Sequence, residues 1–251
     1  MDLSNNQIAR IVELCLLAGE ILIKSGAETN RVEDTMMRIA ASYGVPEAQS
    51  FVIPTGIIFS SNREDRAKLV RVAERSTDLE KVAIVNSISR QISKGELTVD
   101  EALTKLKKVA NADLSFPLWL QILSAALASG CFLIMFQGVW QDFIPAMVAG
   151  GIGYLLFIYL HKYIKVKFFA EGVSSLVIGL LTALAVYTGL GTNFDSIIIS
   201  SVMPLVPGLL ITNAVRDLMD GHLMSALAKG ADAFLTALAI GAGIAAIVAF
   251  M

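Results

Sequence analysis

Charged side chains are scarce in the second half of this chain of 251 residues. Of its 42 Asp, Glu, Lys and Arg residues, 31 precede residue 115, and the other 11 cluster at the edges of long apolar runs in residues 115–251. A water-soluble domain of that size would aggregate with so little charge. The distribution predicts a soluble domain, residues 1–114, followed by a membrane-embedded domain, residues 115–251.

Cysteine and histidine are also rare. Cys15 and Cys131 fit neither a CxxC pair nor a disulfide framework, so we expect both to be small packing residues. The two histidines, His161 and His222, have no GxSxG or HExxH context, and the sequence contains no P-loop. We therefore expect no enzyme activity, no cofactor and no metal site.

Two further features are missing. The first ten residues, MDLSNNQIAR, contain no apolar run, so no cleavable signal peptide is expected. The net charge of −2 gives no indication of nucleic-acid binding. The lipid bilayer is the partner that the composition predicts.

Start and stop signals in residues 1–114 predict four helices. A residue of N-cap type precedes each helix: Ser4, Asn30, Asp78 and Thr98. Ser4 with Gln7 and Thr98 with Glu101 are predicted capping boxes, and Asn30 with Glu33 marks the start of the second helix. Gly44 and Gly95 are placed as C-terminal stops of the second and third helices. Glu28 lies just before the second helix, where the helix dipole favours a carboxylate.

Strand patterns separate the second helix from the third. Residues 50–60 are rich in β-branched and aromatic side chains and are interrupted by Pro54, and residues 67–73 alternate between polar and apolar. Proline predicts an edge strand or a bulge at that point. The fold class we predict is therefore an α-helical membrane protein with an N-terminal soluble α+β domain.

Five segments are long and apolar enough to cross a bilayer, which takes about 20 residues each. They lie near Phe116–Phe136, Phe143–His161, Phe168–Thr188, Ser196–Asn213 and Ala231–Phe250. Two connections contain no Lys or Arg, and the basic residues lie on the opposite side: Lys105, Lys107, Lys108, Lys162, Lys165, Lys167, Arg216 and Lys229. The positive-inside rule then predicts a cell-membrane protein with a cytoplasmic N-terminus and an outside C-terminus.

The fourth segment contains Pro204, Pro207 and Gly208 near its middle. Each proline removes a backbone donor, and glycine permits a further bend. Broken helices expose backbone groups to solutes in many transporters, which makes these three residues candidates for transport. A plain proline kink is the alternative.

Polar residues crowd the cytoplasmic end of the same segment, at Asn213, Arg216, Asp217 and Asp220. Arg216 could bind a substrate carboxylate, form an internal ion pair with Asp217 or another acid, or only mark the inner interface. Glu171 and Asp232 lie slightly inside their segments and are weaker candidates.

Two segments together, SGAETNRVEDTMMRIAASYGV and PLVPGLLITNAVRDLMDG, resemble the threonine/serine exporter family. The resemblance implies a cytoplasmic N-terminal domain, membrane spans and proton-motive export of small amino or carboxylic acids. The family pattern falls on these residues: Gly26, Glu28, Arg31, Pro207, Gly208, Asn213, Arg216 and Asp217.

The chain is shorter than full-length members, which continue into a second set of spans. It is similar to split members, in which a second small multi-span protein supplies the other half and which are associated with succinate export. The resemblance thus implies a half-transporter that this partner completes. The chain could also form homo-oligomers. The alternative is a membrane-anchored sensor or scaffold whose head binds a ligand or partner.

Overall fold

The computed structural model describes residues 4–62, 66–73, 75–164, 166 and 168–250. Lys165 and Lys167, which enter the charge argument above, lie outside the described residues. The chain forms two compact units. The first unit comprises Met1–Ser115 with Leu209–Gly230, and the second comprises Phe116–Gly208 with Ala231–Met251. Leu209–Gly230 thus packs with the N-terminal residues, which a division at residue 114 does not anticipate.

Four helices and a sheet form the N-terminal part of the first unit. The helices are α1 (Asn5–Lys24), α2 (Thr29–Ser42), α3 (Leu79–Ser93) and α4 (Val99–Asn111). Both capping boxes predicted for α1 and α4 are confirmed, and the Asp78 side chain accepts from the Lys81 N–H at the start of α3. Gly44 and Gly95 follow α2 and α3 with positive φ, as their stop role requires.

The N-cap residue predicted for α2, Asn30, was wrong. Glu28 is the N-cap residue and its side chain makes no capping hydrogen bond. Glu33 does not complete a box with Asn30, because its Oε1 accepts from the backbone N–H of Val52, 2.9 Å away. The Glu33 carboxylate, which local spacing predicted would bond to the start of α2, therefore bonds to Val52 on β1 instead.

The three strands form an antiparallel sheet in the order β1 (Gln49–Ile53), β2 (Gly56–Ser60) and β3 (Lys68–Arg71). Pro54 lies in the turn between β1 and β2, where its missing N–H leaves no ladder bond unmade. Val52, Ile57 and Phe59 are buried and join the core beneath α1 and α2.

Cys15 lies in this core and is a packing residue, as expected. It is fully buried on α1, and burial raises the pKa of its thiol to about 12, so the thiolate is not available for chemistry. Cys131 differs: it lies on a helix of the second unit and is exposed.

The regular elements in the described part of the second unit are helices. It contains α5 (Leu118–Met135), α6 (Phe143–Tyr163), α7 (Phe169–Tyr187), α8 (Phe194–Val202) and most of α10 (Leu223–Val248). Short 3₁₀ turns, Trp140–Asp142 and Met203–Leu205, precede α6 and follow α8. The remaining helix, α9 (Gly208–Met219), belongs mainly to the first unit.

Four helices are long and apolar enough to cross a membrane: α5, the segment Trp140–Tyr163, α7 and α10. A bent pair, Phe194–Leu205 with Gly208–Met219, makes a fifth if it counts as one span. The chain is a mostly helical, multi-pass membrane protein. The last span starts earlier than predicted, because α10 is continuous from Leu223 rather than from Ala231.

Small residues bring the helices of the second unit into close contact. A Cβ added at Gly150 on α6 would lie 2.7 Å from the Ser129 Cβ on α5 and 3.2 Å from the Ser201 carbonyl oxygen on α8. Ser201 in turn donates to the carbonyl of Ala146, at 3.2 Å. Without a hydrophobic force between helices in lipid, such close approach and hydrogen bonding hold a bundle together.

Gly150→Ala should destabilise this bundle, by about 1–3 kcal/mol, because the added methyl group meets the Ser129 Cβ, which no rotamer change can move away. Gly241→Ala on α10 is the matched control, since a Cβ there has nothing within 4 Å. Thermal unfolding in detergent measures both. Equal melting temperatures for the two variants would contradict the packing described here.

Candidate functional site

The segment formed by α8 and α9 is interrupted at the prolines. Helical structure ends at Val202, Pro204 lies in the 3₁₀ turn, and α9 begins at Gly208. The N–H of Gly208 donates to the carbonyl of Val206 at 2.8 Å, a tight local bond rather than a helical one. The predicted break is therefore present. A Cβ at Gly208 would meet nothing within 4 Å.

A cleft in the second unit opens beside this break. Its volume is about 470 Å³, and it is lined mainly by apolar side chains with three neutral polar ones. The lining residues are Phe116, Leu120, Gln121, Ser124, Ala125, Ala128, Tyr154 and Pro204. Gln121 donates to the carbonyl of Phe116 at 2.6 Å and keeps a second amide hydrogen for another acceptor. A mostly apolar pocket with a few neutral donors suits a small organic molecule.

The polar end of α9 forms a buried cluster within the first unit. Asp217, fully buried, accepts from the Thr29 N–H at 3.0 Å and from the Thr29 hydroxyl at 2.9 Å. Its carboxylate thus occupies the N-terminus of α2, where unpaired N–H groups and the helix dipole favour an anion. Asp217 performs the capping that Glu28 and Asn30 do not.

Lys229 neutralises this buried carboxylate. Its Nζ lies 2.8 Å from Asp217 Oδ2, only 5% of the residue is exposed, and it also donates to the carbonyl of Ala27 and to Thr29 Oγ1, both at 3.3 Å. Asn213 adds a bond from its Nδ2 to the carbonyl of Gly26, 2.9 Å away. We call Thr29, Asn213, Asp217 and Lys229 the Asp217 cluster. Gly26 itself has φ of 85°, a conformation that favours glycine.

Arg216, the neighbour of Asp217, points to a different acid. It forms an ion pair with Glu28, and the Arg216 side chain stays 56% exposed. The structure therefore contains the pair with an acid brought near by folding, and the pair between Arg216 and Asp217 is not formed. Arg31 is exposed on α2 and is not among the residues that bond to Asp217.

Two further contacts lie at the margin of the cluster. Asn30 donates to Asp220 at 3.1 Å, and His222 Nε2 lies 3.9 Å from Glu33 Oε2. Burial raises the pKa of Glu33, although the Val52 N–H and His222 favour the ionised form. Glu171 and Asp232, the weaker candidates, are half-buried in the second unit and do not join either site.

The chemistry of the two sites differs. The Asp217 cluster has its donors and acceptors paired, so it fixes structure. The cleft has neutral donors and apolar walls, and none of its lining residues is charged. No group of acids, histidines and cysteines among the described residues could hold a metal ion.

Sequence reasoning missed Thr29, Lys229, Gln121 and Tyr154 as site residues. For Lys229 a signal existed, because it stands within a small-residue run of the apolar helix α10, yet it was assigned only to the inner interface. Gln121 and Tyr154 lie 33 residues apart on α5 and α6, and only the packing of these helices brings them together.

A family model described as "Putative threonine/serine exporter" matches residues 13–251. The chain belongs to this family. It is a family of membrane transporters rather than of enzymes, and residues 13–251 include both the cleft and the Asp217 cluster.

Curated relatives differ in length. The chain is 25% identical to "Probable threonine/serine exporter" of Mycobacterium tuberculosis, over 91% of this chain and 44% of that protein. It is 23% identical to "Threonine/serine exporter" of Corynebacterium glutamicum, over 97% of this chain and 52% of that protein. The chain thus spans about half the length of these two relatives.

Other relatives match over nearly their full length. The chain is 25% identical to "Probable succinate transporter subunit YjjP" of Escherichia coli, over 96% of this chain and 95% of that protein. No solved structure matches the chain.

Replacing Asp217 and Arg216 one at a time should show how much each ion pair contributes to stability. Asp217→Ala leaves Lys229 buried without its counter-ion, so we expect a loss of about 3–5 kcal/mol in unfolding free energy. Arg216→Ala should cost less than about 1 kcal/mol, because the Arg216 side chain in its pair with Glu28 is 56% exposed. Thermal unfolding and the yield of folded protein measure both.

Combining Lys229→Met with Asp217→Ala should recover part of the loss, since no buried charge is then unpaired. If Asp217→Ala were as mild as Arg216→Ala, Asp217 would not be the buried anchor described here.

The contributions of Glu33 and Glu101 to the stability of the fold should change with pH in opposite directions. The raised pKa of Glu33 means that its protonated form is favoured on folding, so its contribution is present below the ordinary value of 4.5 and lost as pH rises through the raised value. Hydrogen bonds from the Thr98 N–H and hydroxyl lower the pKa of Glu101, so its contribution is present above 4.5 and lost as pH falls through the lowered value.

Glu33→Gln should therefore remove a decline in stability on raising the pH, and Glu101→Gln a decline on acidification. Melting temperatures between about pH 3 and pH 7 test both. A Glu33→Gln variant that is less stable at neutral pH would show that the Glu33 charge itself is needed.

Proposed function

We propose that this chain is one subunit of a secondary transporter that exports small amino acids or carboxylic acids, such as threonine, serine or succinate. The observation that carries the proposal is the cleft lined by Pro204 of an interrupted helix, in a member of an exporter family. Non-helical backbone at membrane depth is tolerated where it is buried in protein or lines a cavity. Pro204, Pro207 and Gly208 would then form part of the substrate path.

The substrate range rests on the names of relatives and on the cleft. Two relatives carry the name of threonine/serine exporter and one carries that of a succinate transporter subunit. Threonine, serine and succinate share a carboxylate and small size. Gln121, Ser124 and Tyr154 offer hydrogen-bond donors for such a group.

The length of the chain supports a transporter that is divided between two proteins. The chain covers nearly all of the relative named as a subunit and about half of the two named as whole exporters. We therefore expect a second small multi-span membrane protein, or further copies of this chain, to complete the substrate path.

Residues 1–114 would be the soluble, cytoplasmic α+β domain, and five spans, with the bent pair Phe194–Leu205 and Gly208–Met219 counted as one, would place the C-terminus on the outside. The excess of Lys and Arg on one set of connections supports this orientation. In this proposal, Asn213 and Asp217 hold Leu209–Gly230 on that domain, and Arg216 has a structural role with Glu28.

The rival function is a membrane-anchored sensor or scaffold. One anchoring span would serve that purpose, whereas this chain has four or five and a cleft among them. Family membership also favours transport.

Export should depend on the interruption before α9. The double variant Pro207→Ala, Gly208→Ala can continue the helix through this point. It should insert and fold, and its export should fall by roughly tenfold or more, equivalent to about 1.4 kcal/mol. Efflux of serine, threonine and succinate is measured in cells that contain the chain and its candidate partner.

Gly241→Ala is the control, because it changes a helix glycine away from the break and meets no neighbour. Normal export by the double variant would reduce the interruption to a structural kink. No export of any small acid or amino acid by the unmodified pair would overturn the proposed function and favour the sensor.

A further inference from the structure

The cleft beside the Pro204 turn is open on the side of α5. Among its lining residues, Phe116 and Ser124 are exposed, whereas Ala125, the next residue of α5, is buried. A path for a polar solute must be shielded from lipid, so another structure has to cover this side. The chemistry of the open side indicates what that structure is.

Three polar side chains of the cleft have hydrogen-bonding capacity that is not used. The hydroxyls of Ser124 and Tyr154 form no hydrogen bond with another residue in the described part of the chain. Gln121 uses one amide hydrogen on the carbonyl of Phe116 and keeps the other. Tyr154 lies in the middle part of the span Trp140–Tyr163, where an unpaired polar group in contact with hydrocarbon is costly.

Two other spans of the second unit expose a different surface. The exposed side chains in the interior of α7 are Leu180 and Leu184, and those of α10 from residue 231 onward are apolar or small. Such surfaces suit contact with acyl chains. The exposed hydroxyl of Ser124 does not, because hydrocarbon offers no acceptor for its hydrogen.

Small residues continue the stripe that begins at Ser124. Ala128 and Cys131 lie four and seven residues after it, on the same face of α5, and Cys131 is exposed. We call these three residues the Ser124 face. Small residues let the backbone of a second helix approach closely, and a hydroxyl can then form a hydrogen bond across the contact. The Ser124 face therefore fits another membrane helix.

The lengths of the relatives indicate where this helix comes from. The match covers 44% of the exporter from Mycobacterium tuberculosis and 52% of that from Corynebacterium glutamicum, so about half of each lies outside it. The relative named as a subunit is matched over 95% of its length. A second polypeptide that corresponds to the remaining half of the longer relatives can supply the helix.

We propose that the Ser124 face docks a membrane helix of this second polypeptide, whose contacting residues are small and offer hydrogen-bond acceptors. The helix covers the open side of the cleft and accepts hydrogens from Gln121, Ser124 and Tyr154. The presence of a second polypeptide rests on the proposed function. The position of the contact rests on the exposed small and polar residues of α5.

Photo-cross-linking tests the position of the contact without any transport. The photoreactive residue p-benzoylphenylalanine replaces Leu127, which is 45% exposed beside the Ser124 face, or Leu184 of α7, which is 58% exposed and is the control. The full chain is coexpressed with the tagged second multi-span protein of the efflux assay, and the membranes are irradiated. We expect an adduct of the two proteins from position 127 and none from position 184.

Ser124→Phe tests the same contact by copurification. A ring placed in a close contact of small residues should reduce the amount of the second protein retained by about tenfold. Leu180→Phe is the matched control, because it places the same ring on an apolar face, and it should retain the second protein. The melting temperature of the chain alone should not change in either variant, since both positions are exposed. If Ser124→Phe does not fold, the cross-linking result decides.

An adduct between two copies of this chain, an adduct with lipid alone, or equal adducts from positions 127 and 184 would overturn the proposal. Full retention of the second protein by folded Ser124→Phe would do the same. Export by the pair without an adduct from position 127 would overturn the docking and leave the proposed function in place. An adduct from position 127 without export of any small acid or amino acid would support the contact and overturn the proposed function.

Discussion

The carboxylate of Asp217, buried at the N-terminus of α2 and neutralised by Lys229, determines how the first unit is assembled. An unpaired charge at this depth would cost several kcal/mol, so Thr29, Asp217 and Lys229 are stable only together. Each belongs to a different helix, and the bonds of Lys229 and Asn213 extend to the carbonyls of Ala27 and Gly26. The polar end of α9 and the beginning of α10 are thereby fixed to the loop between α1 and α2.

The second unit meets a different constraint, the need to satisfy backbone groups in an apolar surrounding. Its helices pack through small residues such as Gly150 and Ser129, and side-chain hydroxyl groups donate hydrogen bonds to nearby backbone carbonyls. The chain departs from helical geometry at the Pro204 turn, and the cleft lies there. Irregular backbone and cavity coincide, as expected where a membrane protein binds a solute.

Local features were predictable from the sequence where a single short-range interaction decides them. The capping boxes at Ser4 and Thr98 and the glycine stops follow from neighbours within a few residues. At Pro54 the prediction of an edge strand or a bulge was wrong, because the residue lies in the turn between β1 and β2. The apolar runs predicted the spans, because length and composition alone define them. The prolines predicted the break before α9 for the same local reason.

The sites depend on partners far apart in the sequence, and periodicity carries no information about them. Nothing near Thr29 indicates that an aspartate 188 residues away caps its helix. Spacing suggested Arg216 with Asp217, whereas folding pairs them with Glu28 and Lys229 respectively. The resemblance marked Glu28, Asn213, Arg216 and Asp217 together, and the structure supplies the physical reason: these residues join α9 to the start of α2.

Disulfide cross-linking tests most directly whether α9 is held at the N-terminus of α2. Asn30 and Asp220 are in contact beside the Asp217 cluster, so the pair Asn30→Cys with Asp220→Cys can be oxidised in a Cys131→Ser background. The pair Arg31→Cys with Asp220→Cys is the control, because successive residues of a helix point about 100° apart. The structure predicts rapid cross-linking of residues 30 and 220 and slow or no cross-linking of residues 31 and 220 in the membrane-embedded protein. Equal or absent cross-linking in both pairs would contradict the docking of α9 on α2.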